Sequence, residues 1–151
     1  MRHPRVLHGE PDLKIGWLSI WTLSREFADA VDYYDANWIN IHVHIEAPGS
    51  RIDIQGPWIR NVEILSFRDE LAVLNLRLEG VAHLRCLEPY IDAKITSRSL
   101  GHLDVVVDAT PDPMTQTHRF TFDLDQSYLP PLIAQCDQIL RDFPVKGNRH
   151  A

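Results

Sequence analysis

No basic run longer than two residues occurs in this chain, no apolar run approaches the length of a membrane span, and only two of its 151 residues are cysteine. Each absence excludes something. Nucleic-acid affinity comes chiefly from Lys and Arg releasing counterions from phosphate. With 15 basic against 21 acidic residues, a net charge of −6 and a pI near 5.7, nucleic-acid binding is not expected. A membrane span needs about 20 consecutive apolar residues. Met1 to Asp12 carries charges and a proline but lacks the apolar stretch of a secretion signal. A soluble, cytoplasmic protein is expected, neither secreted nor embedded in a membrane. Cys86 falls in a strand pattern and Cys136 in a helix pattern, each among apolar neighbours, which reads as two reduced core thiols rather than a disulfide. The seven glycines are mostly spent on turns. No Gly-rich phosphate loop or dinucleotide fingerprint is present, and no cofactor is expected.

A hydrophobic fraction of 44% and a charged fraction of 24% are ordinary for a globular protein. The length suits one domain with a real core. The boundaries read as a flexible N-terminus over 1–11, a single domain over 12–145 and a flexible polar tail over 146–151.

Hydrophobic periodicity supplies the elements. Leu13 to Leu23 reads as a strand, and Ser24 to Asn37 as a polar connection with room for one helical turn near Phe27 to Val31. From Trp38 the alternation is strict: Ile39, Ile41, Val43 and Ile45 face one way, Asn40, His42, His44 and Glu46 the other. Pro48-Gly49 supplies a turn, and Arg51 to Gln55 alternates again, making a hairpin. The period then changes. Ile64, Phe67, Leu71, Leu74 and Leu78 share one helical face, with Asn61 as the expected cap and Gly80 as the expected stop. Strands follow at Val81 to Leu87, Ile91 to Ser97, His102 to Ala109 and Thr117 to Leu124. Leu129, Leu132, Cys136, Leu140 and Phe143 mark a last helix, ended by Pro144. The expected class is α+β, a mostly antiparallel sheet of about seven strands packed with two amphipathic helices.

The sharpest enzymatic pattern is His42-x-His44, which on a strand projects two imidazoles to one face, where they could share a metal with Glu46 and with His83 or His102. The bland reading is a polar strand face. Of the eight histidines, His3, His8 and His150 sit in the expected flexible ends. Asp29, Asp32 and Asp35 could serve a hard cation or acid–base work, but they lack EF-hand spacing. Cys136 lies in an apolar stripe, where a thiolate is disfavoured. Ser19 and Ser127 lack the Gly-x-Ser-x-Gly context of a nucleophile elbow. Aromatics are concentrated early, at Trp17, Trp21, Tyr33, Tyr34, Trp38 and Trp58. Such rings either complete a core or mark a binding face.

Three segments together resemble a known family. Asp32-Tyr33-Tyr34-Asp35-Ala36-Asn37-Trp38 is similar to an Asp-Tyr-Trp-Asp-Gly-Asn-Trp pattern, with Tyr34 and Ala36 replacing Trp and Gly. Gly101-His102-Leu103-Asp104-Val105 is similar to a Gly-His-Val-x-Val strand start. Phe120 to Leu129 is similar to a Phe-x-Phe-x-x-Asp-Gln-Ser-Tyr-Leu junction of strand and helix. In order and spacing they resemble the WapI-type immunity proteins, which protect bacteria against contact-delivered toxins. The resemblance implies a non-enzymatic domain that occludes a cognate toxin, with no catalytic residues. The contact surface is then expected among Tyr33, Tyr34, Asp35, Trp38, His42 and His44. The alternatives are a metal-binding protein or metal-dependent hydrolase using His42, His44 and Glu46, or a structural domain that oligomerises through an exposed edge strand. Asp125 is expected to cap the final helix.

Overall fold

The structure of the chain, a computed structural model, describes residues 9–149. His3, His8 and His150, and most of the expected flexible N-terminus, lie outside the described residues. The elements run β1 (Leu13–Ile15), β2 (Leu18–Arg25), α1 (Tyr33–Ala36), β3 (Trp38–Ala47), β4 (Ser50–Arg60), α2 (Asn61–Arg77), β5 (Val81–Leu84), β6 (Ile91–Ser97), β7 (His102–Ala109), β8 (Arg119–Asp125) and α3 (Leu129–Asp142). Short 3-10 turns at Ser99–Gly101 and Gln126–Tyr128 precede β7 and α3.

The class is α+β, but the strands form two four-stranded antiparallel sheets, ordered β1-β2-β3-β4 and β5-β6-β7-β8, instead of one sheet of seven. Two local causes account for the difference. The apolar run from Leu13 folds back on itself at Gly16, whose φ is +56°, a conformation that favours glycine. A Cβ there would stand 2.3 Å from the Phe122 ring, so this turn also presses the first hairpin onto β8 of the other sheet. The second cause is α2, which separates β4 from β5 and leaves each sheet a meander of hairpins.

Both sheets and both long helices bury their apolar faces in one core, the main favourable contribution to folding. β3 contributes Ile39, Ile41, Val43 and Ile45, and α2 contributes Ile64, Phe67, Leu71 and Leu74. Leu132, Cys136 and Ile139 of α3 close the core. Pro130 and Pro131 sit in the first turn of α3, where an absent N–H costs nothing.

Several terminal details differ from expectation. The single helical turn lies at Tyr33–Ala36 rather than at Phe27 to Val31, because Asp32 accepts from the Tyr34 and Asp35 N–H groups and caps it there. Asn61 does not cap α2. The Glu63 carboxylate does so by accepting from the Arg60 backbone N–H at 2.8 Å, while the Asn61 side chain is buried and donates to the Phe143 and Pro144 carbonyls. Leu78, not Gly80, takes the left-handed conformation that ends α2, with its N–H on the Leu74 carbonyl. Asp125 does not cap α3: its carboxylate accepts from the Ser127 N–H at 2.8 Å and caps the 3-10 turn at Gln126–Tyr128, while α3 starts after Tyr128 with no side-chain cap.

Candidate partner-binding surface

The strict alternation of β3 places Trp38, His42, His44 and Glu46 on the face turned away from the core. Antiparallel pairing sets Trp21 and Gln55 beside His42, and Ser19 and Asp53 beside His44. The result is a polar sheet face with one carboxylate at its centre. Asp53 accepts from His42 Nε2 at 2.9 Å, from His44 Nδ1 at 2.8 Å and from Arg51 Nε at 3.1 Å. Because the carboxylate is acceptor-only, both imidazoles present N–H to it. Trp21 covers His42 edge-on, with ring centroids 5.9 Å apart, and leaves it only 4% exposed. His42 is therefore a buried strut with almost no surface to offer a partner. His44 is partly exposed, and Trp38 lies under the Arg60 guanidinium, 5.5 Å from its ring centroid.

Burial pushes the Asp53 carboxyl up, but the hydrogen bonds from His42, His44 and Arg51 outweigh it and hold the group at about 2, against an ordinary 3.8. A carboxyl held below its unfolded value stabilises the fold above about pH 4, and that contribution disappears as pH falls through about 2. Solvent screening reduces it. Asp53→Asn is expected to cost about 1 kcal/mol near neutral pH, the difference from the parent shrinking steadily below about pH 4 and most of it gone by about pH 2. Urea denaturation at both pH values measures this.

The metal reading loses its ligand set. Both imidazoles are engaged by Asp53, and the Glu46 carboxylate stands 3.8 Å from His44 Nε2. His83 belongs to the other sheet, bonded to Asp92 at 2.7 Å, and His102 lies opposite Asp125 there. Among the described residues, no group of three or more His, Cys, Asp or Glu is arranged to hold a metal ion. The two cysteines are unpaired, and burial pushes the Cys136 thiol up to about 12, far from a nucleophile's range.

The other expected contact residues occupy a projection at one end of the first sheet, residues 26–37. This segment holds Glu26, Asp29, Asp32 and Asp35 and no basic residue. Among the described residues none of Asp29, Asp32 and Asp35 pairs with a cationic side chain. Phe27 is half exposed, Val31 is 76% exposed and Tyr34 57%. The Tyr33 and Tyr34 rings meet edge to face at 5.4 Å.

What holds this projection is the strand of chain after α3. Asn37, fully buried, donates from Nδ2 to the Tyr33 carbonyl (2.7 Å) and to the Lys146 carbonyl (3.0 Å), and accepts from the Lys146 N–H (2.9 Å). Arg25 donates to the carbonyls of Ala36 and Pro144, and the Tyr34 hydroxyl donates to the Arg149 carbonyl. Residues 146–149, the first part of the expected flexible tail, are thus bonded to α1. Gly147, at φ +74°, lies so close that a Cβ would approach the Tyr33 nitrogen to 2.5 Å.

Sequence reasoning missed Asp53, although a signal was present. A two-residue turn at Pro48-Gly49 makes Ala47 face Ser50, and counting outward puts Asp53 opposite His44. It also missed the supporting role of Asn37, for which no local pattern exists.

The profile of the family described as the immunity protein WapI-like family matches residues 11–144. No curated protein matches the chain. A solved structure described as "Structure of the plant transcriptional regulator PBF-2" is 10% identical, covering 83% of this chain and 75% of that one at a TM-score of 0.49. That degree of likeness supports no statement about function. Among the described residues no helix is long and apolar enough to cross a membrane.

Proposed function

The chain belongs to the immunity protein WapI-like family, and from that premise we propose that the acidic, aromatic projection over residues 26–37 is the element that docks on the cognate toxin domain. The role of the family is neutralisation by binding. The observation that carries the choice of surface is the composition of this one segment: exposed Val31 and Tyr34 beside Asp29, Asp32 and Asp35, which pair with no cationic side chain among the described residues. Exposed aromatics supply area and a polar handle, the usual makings of a binding hot spot. Unpaired carboxylates around them steer a basic partner, with an effect that fades as salt rises. A toxin acting on nucleic acid would present such a basic cleft. His44 and Trp38 extend the surface along β3. The proposed site of action is the cytoplasm, where a toxin would otherwise reach its target.

Growth rescue and binding kinetics with a candidate toxin domain test this. Tyr34→Ala is expected to weaken binding about 30-fold, chiefly through faster dissociation. Asp29→Lys with Asp35→Lys is expected to slow association about tenfold and to flatten its salt dependence. Folded variants that protect and bind like the parent would refute the assignment of this surface.

A further inference from the structure

The four sheet edges are treated unequally. An open edge strand offers unpaired backbone groups to any other strand, and proteins usually block it. At β1 the Gln135 side chain of α3 accepts from the Lys14 N–H at 2.9 Å. At β5 the Glu70 side chain of α2 accepts from the His83 N–H at 2.8 Å. β4 is broken by a register shift opposite Ile39 to Ile41 and by Pro57, which has no N–H to offer. Its end is covered where Trp58 stacks on Tyr90 at 3.7 Å.

β8 carries none of these devices. It has seven residues, no Pro, no Gly and an unbroken register with β7 from Arg119 to Asp125. Among the described residues no side chain bonds its backbone. Its core-side rings, Phe120 and Phe122, stay partly exposed, whereas Val105 and Val107 beside them on β7 are buried. The Gly16 turn and Trp17, whose ring lies 5.0 Å from that of Phe122, cover only part of this face, and a further strand would cover the rest.

The charges along β8 say which strand fits. On the solvent side the order is Arg119, Thr121, Asp123, with the base at one end and the acid at the other. Arg119 also holds Asp108 of β7 in a bidentate pair, at 2.8 and 3.1 Å, and a second copy's Asp123 would share its guanidinium. Antiparallel pairing of two identical strands about Thr121 sets Arg119 opposite Asp123 of the second copy, Thr121 opposite Thr121, and Phe120 opposite Phe122. Opposite-charge, Thr–Thr and aromatic pairs are all favourable across strands. Parallel pairing would instead set Arg119 beside Arg119 and Asp123 beside Asp123. We propose that β8 is a homodimerisation edge, joining two four-stranded sheets into one of eight strands across a two-fold axis. The contact is isologous, so it closes at two copies. A seven-residue edge is smaller than the roughly 1,600 Å² of a standard interface, and the association is accordingly weak and concentration-dependent.

Sedimentation equilibrium of the full chain from about 10 µM to about 1 mM tests this. The mass is expected to climb from 17.4 kDa toward twice that value. Arg119→Asp, which sets acid against acid twice in the dimer, is expected to weaken dimerisation about tenfold, and Arg119→Asp combined with Asp123→Arg to restore it. Urea midpoints of both variants check that they are folded. A mass that stays at the monomer value throughout would overturn the proposal. So would a dimer indifferent to Arg119→Asp, or one weakened by the single change and not recovered in the double. Toxin protection is a separate readout and decides nothing here.

Discussion

Asn37→Ala is expected to lower stability by about 3 kcal/mol and to release the projection over residues 26–37 from its support. Asn37 has no exposed surface, and its amide makes three hydrogen bonds, one to Tyr33 and two to Lys146. Each is worth about 1 kcal/mol net, and truncation also leaves the Lys146 N–H and two carbonyls short of a partner. In a domain of this size each kcal/mol moves the melting temperature by about 2–4 °C, so the expected drop is about 6–12 °C. The urea midpoint should fall with an unchanged slope. Deleting residues 146–151 should reproduce much of the loss, since two of the three bonds, those to Lys146, disappear. A loss under about 1 kcal/mol would mean that water replaces the amide, and the tail would then not be what supports α1.

Phe67→Ala is expected to cost more, about 4 kcal/mol, through lost transfer energy and the cavity left behind. Phe67 is fully buried on the face of α2 that meets the common core, and α2 packs against both α3 and β5. The control lies on the same helix. Leu76 is 83% exposed, so Leu76→Ala should change stability by no more than about 0.5 kcal/mol. Two apolar truncations nine residues apart then differ by about 3 kcal/mol or more for reasons of burial alone. Thermal and urea denaturation of the pair measures the contrast. A comparable loss at Leu76 would show that the outer face of α2 is covered in solution.

Much of this fold was legible because its signals are local. The alternation from Ile39 to Ile45 needs no knowledge of the rest of the chain to say which residues face a core, and the hairpin through Pro48-Gly49 sets its own register. The stripe from Ile64 to Leu74 announces a helix for the same reason. The Asp125 cap was readable as a local bond between residues two apart, but it serves the 3-10 turn at Gln126–Tyr128 that intervenes before α3. Where the reading failed, the deciding contact was distant. Asn61 has a good cap composition, yet its side chain is drawn to Phe143 and Pro144, and the neighbouring Glu63 caps the helix instead. His42 looked like a surface residue on a polar strand face. Trp21, from the neighbouring strand β2, covers it.

The sequence by itself therefore determined the class, the faces of β3 and α2, the acidic and aromatic character of residues 26–37, and the segments that carry the family resemblance. These follow from spacing and composition over a few residues. Only the tertiary structure decided that the strands divide into two sheets, that Asp53 accepts from both histidines, that β8 is left open, and that Lys146 braces Asn37. The physical reason is separation along the chain. Asn37 and Lys146 stand 109 residues apart, and no periodicity links them. They meet because burying both sheets and both helices in one core leaves the end of α3 beside the start of β3.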